Sequence, residues 1–219
     1  MPPPENTIAF MTVMYIAGGD TGWFRYDRHM GALAIPRLTP EAYLELDRRA
    51  EWKSEFHDGG MFPVEAATAN HSSISINLAG LLWSALKGSQ CRAFGAPFRL
   101  RVSDDKYVYP DFMLVCGKPL VMDSQNDTLI NPQVVIEVLS PSTEDYNYGR
   151  KFKFYRSIPS VREYILVSQS EPGIDVYRRV GPHQWTLDTV KGLAAPVSVE
   201  STAITMSLSD VYEQAEFSI

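Results

Sequence analysis

The heptapeptide VVIEVLS, Val134 to Ser140, is the stretch on which the fold turns. A short, nearly unbroken apolar run predicts a central strand covered on both faces, since no set of alternate residues is reserved for water. Downstream, a helix-like stretch over 146–157 is stopped by Ile158-Pro159, because the residue before a proline avoids the helical region. REYILVS (162–168) then reads as a second central strand, and GIDVYRRV and QWTLDTV as a hairpin around Gly181-Pro182. SLSDVYEQA (207–215) predicts a short capped helix.

Upstream, Phe94, Ala96, Phe98, Leu100 and Val102 alternate with other residues, which predicts one strand with one buried face. Asp104-Asp105-Lys106 turns the chain and YVYPDFMLVC (107–116) returns it, followed by a polar loop over 123–131. Before these, Asn70 is expected to cap a helix whose apolar positions 74, 78, 81, 82, 85 and 86 follow the helical period, with Gly88 ending it. SEFHDGGMFPVEA (54–66) predicts a hairpin turning at Asp58-Gly59-Gly60. Thr39-Pro40-Glu41 is a helix start, a Thr cap with proline at the first helical position, and Tyr43, Leu44 and Leu46 give that helix an apolar side. The order of elements predicts an α/β fold: a central mixed β-sheet flanked by helices, with β-hairpins toward both the N- and C-terminal sides.

At 219 residues the chain suits one sizeable domain, placed at 37–219, preceded by an extension over 1–36 in which Met11 or Met30 is a candidate start. No run approaches the roughly 20 apolar residues of a membrane span, and Ile8 to Gly18 is too short for one and lacks the cations of a signal peptide. A cytoplasmic location follows as the expectation, and with it Cys91 and Cys116 as reduced core residues. The net charge of -6 speaks against a broad nucleic-acid surface, but charge acts locally. RKFKFYRSIPSVR (150–162) holds five cations and no acid, so Arg150, Lys153 and Arg156 are candidate DNA contacts. Trp52, Trp83 and Trp185 read as core or interface aromatics.

Two acids sit where a core has no use for them: Asp111 inside YVYPDFMLV and Glu137 inside VVIEVL. A carboxylate in a buried strand is costly unless paired, hydrogen-bonded or bound to metal. Two of them on neighbouring strands repel, and all-oxygen donors of this kind suit magnesium, manganese or calcium rather than zinc. The plainer alternative is a structural, salt-bridged role for each.

These residues resemble a known pattern. Pro110-Asp111, then Glu137 in an apolar strand followed by Leu-Ser-Pro-Ser-Thr, is similar to a variant of the PD-(D/E)XK nuclease signature. With LTPEAYLEL, SEFHDGGMF, His71, YPDFMLV, VIEVLSPST, GRKFKFYRS and VREYILV, the chain from about 38 to 215 resembles the bacterial Uma2-type restriction endonuclease family, formerly a domain of unknown function. The resemblance implies a restriction-endonuclease-like fold and metal-dependent hydrolysis of DNA, with Mg2+ or Mn2+ as cofactor and a homodimer as the working form. It implies Asp111 and Glu137 as metal ligands, with Glu55 completing the metal shell. The lysine of the parent signature would stand at 139, where this chain has Leu139; the following helix supplies Lys151 at the matching position, with Lys153 as the alternative. His71 is either an accessory group or a surface histidine, and it pairs with His57 in no fixed register. Ser140 and Thr143 either contact phosphate or cap the next helix, and Asp145 is either a further acid or a helix-start residue. A nuclease fold that binds DNA or protein without cutting it is the rival reading, kept open by the displaced lysine.

Overall fold

The computed structural model describes residues 37–141 and 143–217; the extension over 1–36 and its candidate start methionines lie outside the described residues. Helix α1 (Pro40–Arg49) begins as expected, the Thr39 hydroxyl accepting the Ala42 N–H. Strands β1 (Ser54–His57) and β2 (Gly60–Pro63) pair across Asp58 and Gly59, both at positive φ, as a tight two-residue hairpin requires. Helix α2 (Ala69–Leu86) buries Ile74, Leu78, Leu82 and Leu86. Its cap is Thr68 and not Asn70: the Thr68 hydroxyl accepts the His71 N–H, while the Asn70 amide inside the helix donates to Gln169 O and Glu216 O.

The alternation from 94 to 102 does not form one strand. It divides into β3 (Cys91–Gly95) and β4 (Arg99–Ser103) around Ala96-Pro97, and the two halves enter different sheets. YVYPDFMLVC divides likewise into β5 (Lys106–Val108) and β6 (Phe112–Cys116), because Pro110 has no N–H to give a ladder. After β7 (Thr128–Leu129) and β8 (Val134–Val138) the chain runs through α3 (Glu144–Tyr146), a π-helical turn (Asn147–Lys151) and α4 (Phe152–Ser157). Strands β9 (Glu163–Val167), β10 (Gly173–Arg179) and β11 (Trp185–Lys191) follow. A hairpin that the sequence reading left out, β12 (Pro196–Val199) with β13 (Ile204–Ser207), precedes α5 (Leu208–Val211).

The six-stranded sheet has the order β11-β10-β9-β8-β6-β3, with β8 parallel to β9 and antiparallel to β6. The other large sheet, β2-β1-β5-β4-β7, has five strands. One face of the six-stranded sheet (Leu114, Val134, Ile136, Ile165) packs on α2 and on the β12–β13 hairpin. The opposite face (Met113, Val115, Val135, Leu166) packs on Leu100, Val108 and Leu129 of the five-stranded sheet and on Phe154 and Tyr155 of α4. Helix α1 adds a third cluster, Tyr43 and Leu44 against Phe56 and Tyr107. The expected mixed sheet flanked by helices is present.

One expectation about side chains fails and another is narrowed. Cys91 and Cys116 are neither separate nor deep in the core: register sets them opposite one another on β3 and β6, half-buried and joined in a disulfide. Trp52 and Trp83 are exposed at 77% and 78%, which excludes the core half of the core-or-interface reading for both. Among the described residues no helix is long and apolar enough to cross a membrane.

Candidate active site

Register builds the site. Phe112 lies opposite Ile136, and one step outward along the same antiparallel pair sets Asp111 opposite Glu137. Met113 and Val135 share the face toward the five-stranded sheet, so Asp111 and Glu137, two residues from each, share that face as well. Asp111 stands just ahead of β6 rather than within a strand, and its Oδ2 accepts the Val138 N–H at 2.7 Å where the β6–β8 ladder ends. Glu137 lies in mid-strand, only 3% exposed.

Lys151 enters from the helical segment after β8. Its Nζ lies 2.9 Å from Glu137 Oε1 and 3.1 Å from Glu55 Oε1, and the residue is 6% exposed. The local backbone explains the reach. Tyr146 and Lys151 are five residues apart, which an α-helix would place on different faces. The intervening π-helical turn brings them together, with Nζ 5.8 Å from the Tyr146 ring centroid. Normal helical spacing then sets Tyr155 four residues beyond Lys151 on the same face, and its hydroxyl donates to the same Glu137 Oε1.

Glu55 comes from β1 of the other sheet. Its Oε1 accepts the Tyr109 N–H at 3.2 Å and faces Lys151, while its Oε2 accepts the Tyr146 hydroxyl at 2.9 Å. Its contacts are those of a counter-ion to the ammonium. His71, in the first turn of α2, holds Nε2 3.3 Å from Asp111 Oδ2, and its Nδ1 lies 3.4 Å from Ser75 Oγ.

The electrostatics follow from burial. Glu137 is pushed up to about 7, first by its loss of water, with Lys151 opposing and Asp111 adding to the rise. Burial would lower the Lys151 ammonium, but Glu137 and Glu55 together outweigh it and hold the group above its ordinary value. The hydrogen bond to Asp111 raises His71. Burial and the neighbouring carboxylates raise Tyr146 and Tyr155, so both phenols stay protonated and donate.

The remaining candidates lie outside this cluster. Lys153 is exposed, as are Arg150 and Arg156; Arg150 pairs with Asp58 and the Arg156 guanidinium stands 5.7 Å from the Phe152 ring centroid. Asp145 is an exposed first-turn residue of α3. Thr143 occupies the cap position of α3 without a capping side-chain bond, and its hydroxyl meets that of Ser140 at 2.6 Å. His57 is buried 4.1 Å from the Phe62 ring, beside Asp58, and does not share a partner with His71. The tyrosines were not foreseen. Tyr155 had a signal, since it stands one helical turn from Lys151 in GRKFKFYRS; Tyr146 had none, because its place depends on the π turn.

Among the described residues no three of His, Cys, Asp or Glu converge as a cage for a metal ion. Asp111 and Glu137 nevertheless form an all-oxygen donor pair in a site with more negative than positive groups. That composition fits magnesium, which keeps several waters and binds through one or two carboxylates plus the phosphates of a substrate.

The comparisons agree with this architecture. Two Synechocystis proteins (strain ATCC 27184 / PCC 6803 / Kazusa), each called an "Uncharacterized protein", sll1609 and slr1290, are 35% and 33% identical to it over 161 residues. The alignments cover 73% of this chain and 91% and 83% of theirs. A crystal structure from Anabaena variabilis ATCC 29413, described as "a putative nuclease belonging to DUF820", superposes with a TM-score of 0.66 at 22% identity, covering 80% of this chain and 97% of that one; it shows a shared fold. Residues 40–209 match the model of the Uma2 family, described as "Putative restriction endonuclease", and the chain belongs to that family.

Proposed function

We propose that the protein is a metal-dependent endonuclease that hydrolyses phosphodiester bonds in DNA, with Asp111 and Glu137 as metal-holding carboxylates and Lys151 as the migrated lysine of the PD-(D/E)XK pattern. The observation that carries this reading is the 2.9 Å contact of Lys151 Nζ with Glu137 Oε1. A helix that follows the strand delivers the ammonium to the carboxylate where Leu139 cannot.

Bound Mg2+ or Mn2+ would polarise the phosphate and lower the pKa of its water. The chain's own residues do the rest. Lys151 keeps its proton and offers positive charge to the phosphoryl oxygens as charge builds there. Glu55 and Tyr146 fix the ammonium from behind, so its position does not depend on substrate. Tyr155 and Lys151 together hold Glu137 Oε1, which sets the orientation of that carboxylate. His71 orients Asp111 from α2. The exposed cations Arg150, Lys153 and Arg156 would hold the DNA backbone, and a homodimer would bring one such site to each strand.

The test is nicking of supercoiled plasmid with magnesium or manganese against EDTA, for wild type, Asp111→Ala and Lys151→Ala. The expected result is metal-dependent nicking that each substitution reduces by at least about 100-fold. Nicking that survives Lys151→Ala would remove the lysine from the mechanism. DNA binding indifferent to metal, with no cleavage, would leave a nuclease fold that only binds.

A further inference from the structure

A second site stands out at the far end of β6 from Asp111, on the sheet face that carries both carboxylates. An open groove of about 700 Å3 is lined there by Arg92, Phe94, Phe98, Lys118 and Asn126, among others, and among the described residues no carboxylate lines it. Alternation along β3 puts Arg92 and Phe94 on one face, opposite Val115 and Met113 in register. The turn after β3, closed by Phe98 N–H to Gly95 O at 3.2 Å, folds Phe98 back onto Phe94, ring centroids 5.2 Å apart and planes within 17°. Gly117 at φ +88° carries Lys118 out of β6, its N–H bonded to Gln90 O at 3.0 Å. The Cys91–Cys116 disulfide ties the two strand ends from which these cations project.

Arg92 and Lys118 are exposed, and the ion pairs formed among the described residues use other cations. On a chain with net charge -6, two cations that no carboxylate among the described residues pairs, beside a half-buried pair of stacked rings, select a ligand that is both anionic and aromatic. In duplex DNA the base faces are already stacked, so a ring platform of this kind is useful only to an unpaired strand. We infer that this groove binds a single-stranded nucleic-acid segment, phosphates on Arg92 and Lys118 and a base against the Phe94–Phe98 pair, outside the catalytic cluster. The choice of nucleic acid among aromatic anions rests on the nuclease reading above.

The experiment is fluorescence anisotropy of a labelled oligothymidylate with the full chain in EDTA, against duplex of equal length and with inorganic phosphate as competitor. Wild type is expected to prefer the single strand. Arg92→Gln with Lys118→Gln, both at exposed positions, should flatten the slope of log affinity against log salt by about 1.4, two phosphate contacts' worth on a single strand. Phe98→Leu, checked for an unchanged melting curve, should weaken binding about 10-fold without changing that slope. Asp111→Asn should bind the strand as wild type does. The inference is overturned if wild type does not bind the single strand, or if the double variant keeps the wild-type slope. It is equally overturned if Asp111→Asn loses the strand while the double variant retains it, which would put the strand in the catalytic cluster. Metal-dependent nicking without strand binding would sink the groove and leave the nuclease standing; strand binding without nicking would do the reverse.

Discussion

Two clusters of charge, one buried and one partly open, lie on either side of Tyr109, and they are built on different arithmetic. In the first, Asp47 and Arg99 are 0% and 2% exposed and bonded at 2.6 Å. The buried pair is one carboxylate to one guanidinium, and its polar atoms are matched: Asp47 also accepts the Ser54 N–H and the Tyr109 hydroxyl, and Arg99 also donates to Thr128 and Tyr109 and lies 3.3 Å from the half-buried Asp127, itself held by Arg48. In the second, Glu55, Asp111 and Glu137 share one ammonium, Lys151, and one histidine, His71. Tyr109 joins the two, its hydroxyl on Asp47 and its N–H on Glu55. A balanced cluster holds a fold together. One with surplus negative charge stores an unfavourable interaction that only a cation relieves, and such sites are where chemistry is done.

The same substitution should therefore act in opposite ways on the two sides. Asp47→Asn leaves Arg99 without its closest carboxylate and is expected to cost about 3–5 kcal/mol in urea unfolding. Asp111→Asn removes surplus charge while its amide oxygen can still accept the Val138 N–H. It should change stability by no more than about 1 kcal/mol, while metal-dependent nicking is lost. Equal destabilisation by both would show Asp111 to be structural.

The folded protein holds the Glu137 proton up to about 7, whereas the ordinary value is 4.5. The stability this group contributes is therefore complete below 4.5 and lost as pH rises through 7. In EDTA, wild type should lose about 3 kcal/mol across that window through this group, and Glu137→Gln should flatten the loss. Added magnesium should raise the wild-type melting temperature at pH 8 and leave that of Glu137→Gln unmoved; a magnesium shift retained by the variant would take the metal away from Glu137.

The tyrosines test the two clusters at a smaller scale. Tyr109→Phe and Tyr155→Phe each delete a hydroxyl that donates to a buried carboxylate, and each should cost about 1.5–3 kcal/mol. Tyr155→Phe also removes a donor that favours the charged form of Glu137, so the acidic limb of its nicking profile should move to higher pH. The profile of Tyr109→Phe should keep its shape. A shift in both would mean that Tyr109 transmits the state of one cluster to the other.

What the sequence disclosed follows from how local each signal is. VVIEV was legible because a strand buried on both faces leaves no polar alternation, and the acid inside it stood out for the same reason. The division of 91–116 between two sheets was hidden because apolar alternation runs unbroken across Ala96-Pro97 while the partners of the two halves lie far apart in the chain. Asn70 was a sound local choice of cap, but its side chain is engaged by Gln169 and Glu216, distant contacts that no window around residue 70 contains. The Cys91–Cys116 bond likewise depends on strand register across 25 residues. Glu55 and Tyr146 meet Lys151 only through the approach of the second sheet and the π turn, so their role as the lysine's holders could not be read from spacing.

Sequence spacing offers Lys151 first and Lys153 as its alternative. Lys151 and Lys153 lie two positions apart on a helical path, roughly 200° around its axis, so if one faces the sheet the other faces away. The structure resolves the geometry: Lys151 is 6% exposed between two carboxylates and Lys153 is in solvent. Lys153→Ala should then leave stability within about 0.5 kcal/mol of wild type and lower nicking by a few-fold, with the loss vanishing at low salt as expected of a backbone phosphate contact. Lys151→Ala should remain defective at every salt concentration, because in the proposed mechanism its charge acts at the reacting phosphate and not on encounter. A Lys153→Ala defect as deep as that of Lys151→Ala and insensitive to salt would mean that the helix turns on binding DNA, and that the buried lysine is the structural one.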